Sequence, residues 1–170
     1  MAKSKAPKLD LNNTPWQNQM EILSILALVL LIGMVLYYFP SLPDRIPTHF
    51  NLKGEADGWG NKLMLFTLPA IGFGLYLLLT FINRTPHLFN YPIEVTEENA
   101  EKLYQIGRSL NTTLKAFILC SFLYIAWSSI QLALGNQSEL GYLFMALFIG
   151  GITAIIVVHL RMNNEVKKEF

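Results

Sequence analysis

Four stretches of the chain, 22–43, 63–83, 116–138 and 140–160, contain no Asp, Glu, Lys or Arg. Each is close to the ~20 residues that a helix needs to cross ~30 Å of hydrocarbon. The pattern predicts membrane spans at about 22–39, 63–83, 116–134 and 140–160. Ahead of the first, Thr14, Pro15 and Gln17 are placed as an N-cap, a first helical residue and a capping-box partner, with Trp16 at headgroup depth. Pro69 lies inside the second span and predicts a kink there, with Gly72 and Gly74 beyond it allowing another helix to approach closely. The third span follows an amphipathic lead-in at 96–115, in which Leu103, Ile106, Gly107 and Leu110 share one face. Its helix is expected to continue through Lys115 into the uncharged run. Residues 135–139 read as a tight turn, and Ala146 with Gly150 forms a small-xxx-small packing signature in the fourth span.

Composition sharpens this reading. The 13 basic and 12 acidic residues nearly cancel, to a net charge of +1, and a balance of that kind gives no reason to expect a nucleic-acid partner. All of these charges fall outside four gaps that make up half the chain, which excludes a soluble enzyme. The fold class is therefore an all-α integral membrane protein, a single domain over 1–170 with four transmembrane helices and a structured extracytoplasmic loop between helices 1 and 2. An even number of spans puts both termini on one side with the connection 84–115. That side carries Lys3, Lys5, Lys8, Arg84, Lys102, Arg108, Lys115, Arg161, Lys167 and Lys168, against Arg45, Lys53 and Lys62 on the other. The bias places both termini in the cytoplasm and the chain in a bacterial inner membrane. The first apolar run is too long for a cleaved signal peptide, and residues 40–43 offer no small-residue cleavage site. The first ~12 and last ~8 residues are expected to fray. Cys120, alone and mid-span, supports neither a disulfide nor a cysteine metal site.

The loop 40–62 departs from ordinary membrane sequence. Pro40, Pro43 and Pro47 end the helix and force extended geometry. Residues 48–50 are β-compatible, Asn51 to Gly54 reads as a turn, and Asp57-Gly58 carries a stronger turn signal. Phe50 and Trp59 suit the headgroup layer, and Lys62 can snorkel at the start of the second span. Two side chains could do chemistry. His49 titrates near neutrality, and Asp57 can orient a histidine or accept a proton. One histidine with scattered carboxylates has no recognised ligand spacing, so the favoured reading is that both hold the loop's shape through backbone groups. Elsewhere, His87 reads as interface packing beside Phe89 and Tyr91, and His159 as an end-of-helix residue. Ser128, Ser129 and Gln131 read as interhelical hydrogen-bonding groups. No span carries a charge in its middle, which argues against an ion-coupled transporter.

Residues 42–62, LPDRIPTHFNLKGEADGWGNK, resemble the extracytoplasmic loop of the bacterial SdpI-like membrane proteins at Pro43, Ile46, Pro47, His49, Phe50, Asn51, Gly54, Asp57 and Lys62. The segment Asn90-Tyr91-Pro92, ahead of a helix leading into a span, resembles a second feature of that family. In it, the N-terminal domain is one of unknown function. The named member is an immunity protein that protects a cell from its own secreted toxic peptide and holds a transcriptional repressor at the membrane. That protein is longer, with further C-terminal spans. The family supplies no catalytic residues to carry over.

Three functions compete. The first is a non-enzymatic interaction protein whose outer loop (Pro43, Pro47, His49, Phe50, Asn51, Gly54, Asp57, Trp59, Lys62) recognises a peptide or protein partner. The second is an accessory subunit of a larger membrane complex, or a homo-oligomer, packing through Gly72, Gly74, Ala146 and Gly150. The third, a membrane enzyme with a metal on His49 and Asp57, ranks last. No cofactor is expected, and the lipid bilayer is the one partner the composition itself requires.

Overall fold

Thr14 opens the first helix with a capping box. Its hydroxyl accepts from the Gln17 backbone N–H, and the Gln17 side chain accepts from the Thr14 N–H. Pro15 at the first helical position has no N–H to leave unsatisfied. Thr14→Ala should therefore lower stability by about 1 kcal/mol, read as a shift of the unfolding midpoint in detergent. In a computed structural model that describes residues 6–136 and 139–169, this helix, α1, runs Pro15–Tyr38 and ends in a 3-10 turn at Phe39–Ser41. Strands β1 (Arg45–Phe50) and β2 (Ala56–Asn61) follow. A 3-10 turn at Lys62–Phe66 leads into α2 (Thr67–Ile82), and α3 (Ala100–Ala133) and α4 (Tyr142–Glu169) complete the order.

All four helices are long and apolar enough to cross a membrane. Their apolar side chains are mostly uncovered, as with Leu26, Val29 and Leu36 on α1 and Ile71, Leu77 and Phe81 on α2. Almost none of the apolar window of α4 is covered by the rest of the chain. A surface of that kind requires lipid around it, so the chain is a multi-pass membrane protein. Helix α3 is the central pillar and packs on α1, α2, α4 and β1. At 34 residues it is about 51 Å long, well beyond the ~30 Å of hydrocarbon, so one end stands clear of the membrane core.

Besides a small cluster of Ala27 and Leu28 of α1 with Leu119 of α3, the interior has two larger parts. One core cluster joins Leu31 and Val35 of α1, Leu42, Ile46 of β1, Leu65, and Ala126 and Ile130 of α3. The other gathers Ala100, Leu103, Tyr104 and Ile106 of α3 around Val166 of α4. The hairpin and the turn before α4 thus occupy one end of the bundle. The N-terminal segment, the α2–α3 connection and the end of α4 occupy the other.

Several expectations need correction. The fold is mostly helical, not all-α, because the loop pairs into a two-stranded antiparallel sheet. Pro69 does not interrupt a helix. The 3-10 turn changes to α-helix at Thr67, so Pro69 falls in the first turn of α2, where no i−4 bond is owed. Helix α4 runs on to Glu169, with Val166 packed into the α3 cluster and the Lys168–Glu165 and Lys102–Glu169 pairs on its surface. His159 is consequently not at a helix end; it is buried, with Nδ1 donating to Ile155 O at 2.7 Å.

The N-terminal segment is strapped to α3. The Tyr104 hydroxyl donates to Pro7 O (2.8 Å), Gln105 to Asn12 O (3.0 Å) and Arg108 to Leu11 O (2.8 Å). Among the described residues, Ser128 Oγ is buried without a partner and Gln131 accepts from Asn136 just past the end of its own helix, so neither bridges helices there. Lys3, Lys5 and part of the 135–139 turn lie outside the described residues.

Candidate functional site

The hairpin turns at Asn51, and the reason is local. Asn51 Oδ1 accepts from the backbone of Lys53 (2.8 Å) and Glu55 (3.1 Å), while its amide donates to Glu55 Oε2 (2.9 Å). Gly54, at φ +83, supplies the left-handed residue that such a turn needs. Asp57-Gly58, which carried the stronger turn signal, lies inside β2 instead. Gly58 pairs with His49, and a Cβ there would come 2.8 Å from His49 Cβ, so this glycine permits close cross-strand contact.

That register brings the two candidate side chains together. His49 Nδ1 and Asp57 Oδ1 are 2.5 Å apart, with side chains 71% and 46% exposed. They pair with each other and not with backbone groups. Trp59 and Leu52 are exposed on the same hairpin, whereas Ile46 and Pro47 are buried against the bundle. The base is clamped by Lys62, whose ammonium sits 3.2 Å from Asp44 Oδ1, donates to Leu42 O (3.2 Å) and lies 5.5 Å from the Phe39 ring centroid. The tip is held by Leu140, whose N–H donates to Gly54 O at 2.7 Å. Phe50 helps to line a small cavity of about 100 Å³ with Ile46, Met64 and Ser129. Pro43 is exposed ahead of β1. Among the described residues, no three His, Cys, Asp or Glu side chains are grouped so as to hold a metal.

Of the helix residues singled out above, Gly72 meets Leu119, with a Cβ there 3.2 Å from Leu119 Cδ2. Gly74 and Gly150 face open space. Ala146 is exposed, and it is Gly151 that meets α3, at Phe117.

A second polar site was not anticipated from sequence. Lys115, 1% exposed, lies inside the bundle with its ammonium 2.6 Å from Glu21 Oε2 of α1 and 2.8 Å from Thr80 Oγ1 of α2. The Tyr76 hydroxyl donates to Glu21 Oε1 (2.8 Å), and its ring lies 4.7 Å from the ammonium. Three helices thus share one charge pair. Glu21 also borders a polar cavity of about 450 Å³ with Asp10, Thr80, Asn83, Arg84 and Arg108. Next to it, Asn111 donates to Leu79 O (2.9 Å) and Asn83 Oδ1 (2.8 Å), while Asn83 donates to Thr112 (2.8 Å).

Both charges flank uncharged runs and so read as span boundaries, which concealed the pair. The usable signal is the helical spacing of Gln17, Glu21 and Ser24, a polar stripe on an otherwise apolar helix. Lys115 accordingly drops out of the charges counted toward one membrane side.

The Asn90-Tyr91-Pro92 segment folds over Gly107, where a Cβ would meet Phe89 and the Tyr91 hydroxyl at 2.9 Å. Tyr91 donates to Pro86 O (3.0 Å). Burial, with the nearby Tyr104 adding to it, holds that hydroxyl well above the usual tyrosine range, so it remains a donor.

Residues 26–73 match a domain of unknown function (DUF1648). The match runs from within α1 through the hairpin into α2. An uncharacterized protein of Archaeoglobus fulgidus is 27% identical over 143 residues, covering 75% of this chain and 77% of that protein. No solved structure matches the chain.

Proposed function

We propose that this chain is a non-enzymatic membrane receptor whose hairpin recognises a peptide or protein partner at the outer face of a bacterial inner membrane. The observation that carries the reading is the two-sidedness of the hairpin. One face is locked to the bundle through Ile46, Lys62 and Gly54. The other presents the His49–Asp57 pair with Trp59 and Leu52 uncovered. A fixed platform with an exposed aromatic and a hydrogen-bonding pair suits recognition, because little entropy is lost on binding. The resemblance of 42–62 to SdpI-like loops supports this reading and extends it to immunity against a secreted peptide. Lys8, Arg84, Lys102, Arg108, Arg161, Lys167 and Lys168 gather at the end opposite the hairpin, which supports cytoplasmic termini.

An accessory-subunit reading has one observation of its own, the open space over Gly74 and Gly150 on lipid-facing helices.

A photo-crosslinker placed at Leu52 or Trp59 in native membranes tests recognition. A discrete polypeptide adduct is expected there and not from Phe81. Lipid adducts alone, or the same adduct from all three positions, would overturn the reading. In parallel, His49→Ala and Asp57→Ala should each change stability by less than ~1 kcal/mol, since so exposed a pair is weakly coupled. Both should nevertheless remove the adduct. A large loss of stability would make the pair structural.

A further inference from the structure

A groove of about 420 Å³ runs between α3, the later part of α4 and the connection that follows α2. Ile82, Phe89, Leu110, Leu114 and Leu160 give it apolar walls. Asn163 also lines it, and this residue is only 7% exposed. The amide oxygen of Asn163 is fully buried and accepts no hydrogen bond from the protein. A buried acceptor left without a donor is costly, and native structures nearly always supply one.

The position of the groove narrows the choice of donor. Leu160 closes the last uncharged run, and Leu114 stands just before the third. The groove therefore sits where hydrocarbon gives way to the polar layer. Leu160 is 48% exposed, and so links the groove to the uncovered apolar surface of α4 at Val157 and Val158. Arg161, the next residue, is also exposed. A molecule entering here comes from the bilayer, with its chain in the apolar part and its head at the level of Asn163.

We propose that this groove holds one membrane phospholipid whose headgroup carries an N–H or O–H donor. The acyl chain lies along Leu110, Leu114 and Leu160, and the headgroup donates to Asn163 Oδ1, which a flip of the terminal amide turns toward the groove. Ethanolamine and glycerol headgroups share the required donor. A choline headgroup, whose nitrogen is fully methylated, has none.

The test uses the full chain, purified in mild detergent, stripped of lipid, and titrated in native mass spectrometry. The probes are phosphatidylethanolamine, phosphatidylglycerol and phosphatidylcholine with identical acyl chains. One bound lipid is expected, with one or both donor-bearing headgroups favoured over choline by about fivefold or more, the ratio expected of one net hydrogen bond. Asn163→Leu should bind all three lipids alike. Leu114→Trp, which fills the groove from α3 and leaves Asn163 in place, should bind none, so the proposal remains testable if Asn163→Leu fails to fold. The comparison between ethanolamine and glycerol identifies the source of the donor. Equal binding of the choline lipid to the unaltered chain would overturn the proposal. So would discrimination that survives Asn163→Leu, or a stoichiometric polypeptide occupying the groove after purification.

Discussion

Glu21→Ala is expected to destabilise the folded chain by about 3–5 kcal/mol, the range found when one partner of a buried ion pair is removed. The loss comes less from the missing attraction than from what remains. Lys115 would be left with one hydroxyl, Thr80 Oγ1, and the Tyr76 ring as its remaining partners. Its side chain is 1% exposed, so the only water that could replace the carboxylate would have to enter from the cavity side of Glu21.

The reciprocal change should cost less. Lys115→Met leaves Glu21, which is 28% exposed and borders the polar cavity, where solvent can reach it. Its hydrogen bond from Tyr76 also survives. A loss of about 1–2 kcal/mol is expected, near that of one unsatisfied polar group. The double variant Glu21→Gln with Lys115→Met should recover most of the stability lost in Glu21→Ala, because no buried charge is then stranded. Reversible unfolding in mixed micelles measures all three. Equal losses for the two single variants would show that water does not reach the cavity side of Glu21.

The second large effect is expected at Gly54→Ala. The φ of +83 costs a non-glycine residue about 1 kcal/mol by itself. The added Cβ would also fall 2.7 Å from the Gly141 backbone, which has no flexible end to move aside. The hairpin tip would have to lift from the turn before α4 and give up the bond from Leu140 to Gly54. Together these predict a loss of about 2–3 kcal/mol and increased proteolysis within 51–55. Gly74→Ala and Gly150→Ala serve as controls. Both meet open space in helices, where alanine is the better helix former, so isolated stability should hold or rise slightly. If Gly150→Ala instead disrupts a complex in native membranes, the subunit reading gains its first direct support.

These glycines show how far the sequence carries. Gly54 reads from the sequence as a turn residue, while Gly72, Gly74 and Gly150 look alike as residues that permit close approach. Only their neighbours separate Gly54, pressed on a backbone, and Gly72, pressed on Leu119, from the two that face open space. The hairpin gives a similar lesson. A structured loop at this position and its two candidate side chains, His49 and Asp57, were legible; that the loop pairs into a two-stranded hairpin was not. The turn at Asn51 to Gly54 was read, but a second and stronger one was assigned to Asp57-Gly58 because a dipeptide signal counts local conformation alone. The strand register that makes Gly58 a contact residue opposite His49 is a cross-chain property.

The sequence by itself determined the membrane character, the four spans, the start of α1 at Thr14 and the unusual segment between the first two helices. Each follows from short-range rules: a charge cannot be left in hydrocarbon, a helix needs a cap, and proline ends regular structure. The tertiary structure decided what lies between helices. It turned Glu21 and Lys115 from boundary charges into a shared interior pair, strapped the N-terminal segment onto α3, and buried Asn163 beside an apolar groove. Such roles depend on which faces meet, and that is set by the packing of all four helices together, not by the neighbours of any one residue in the chain.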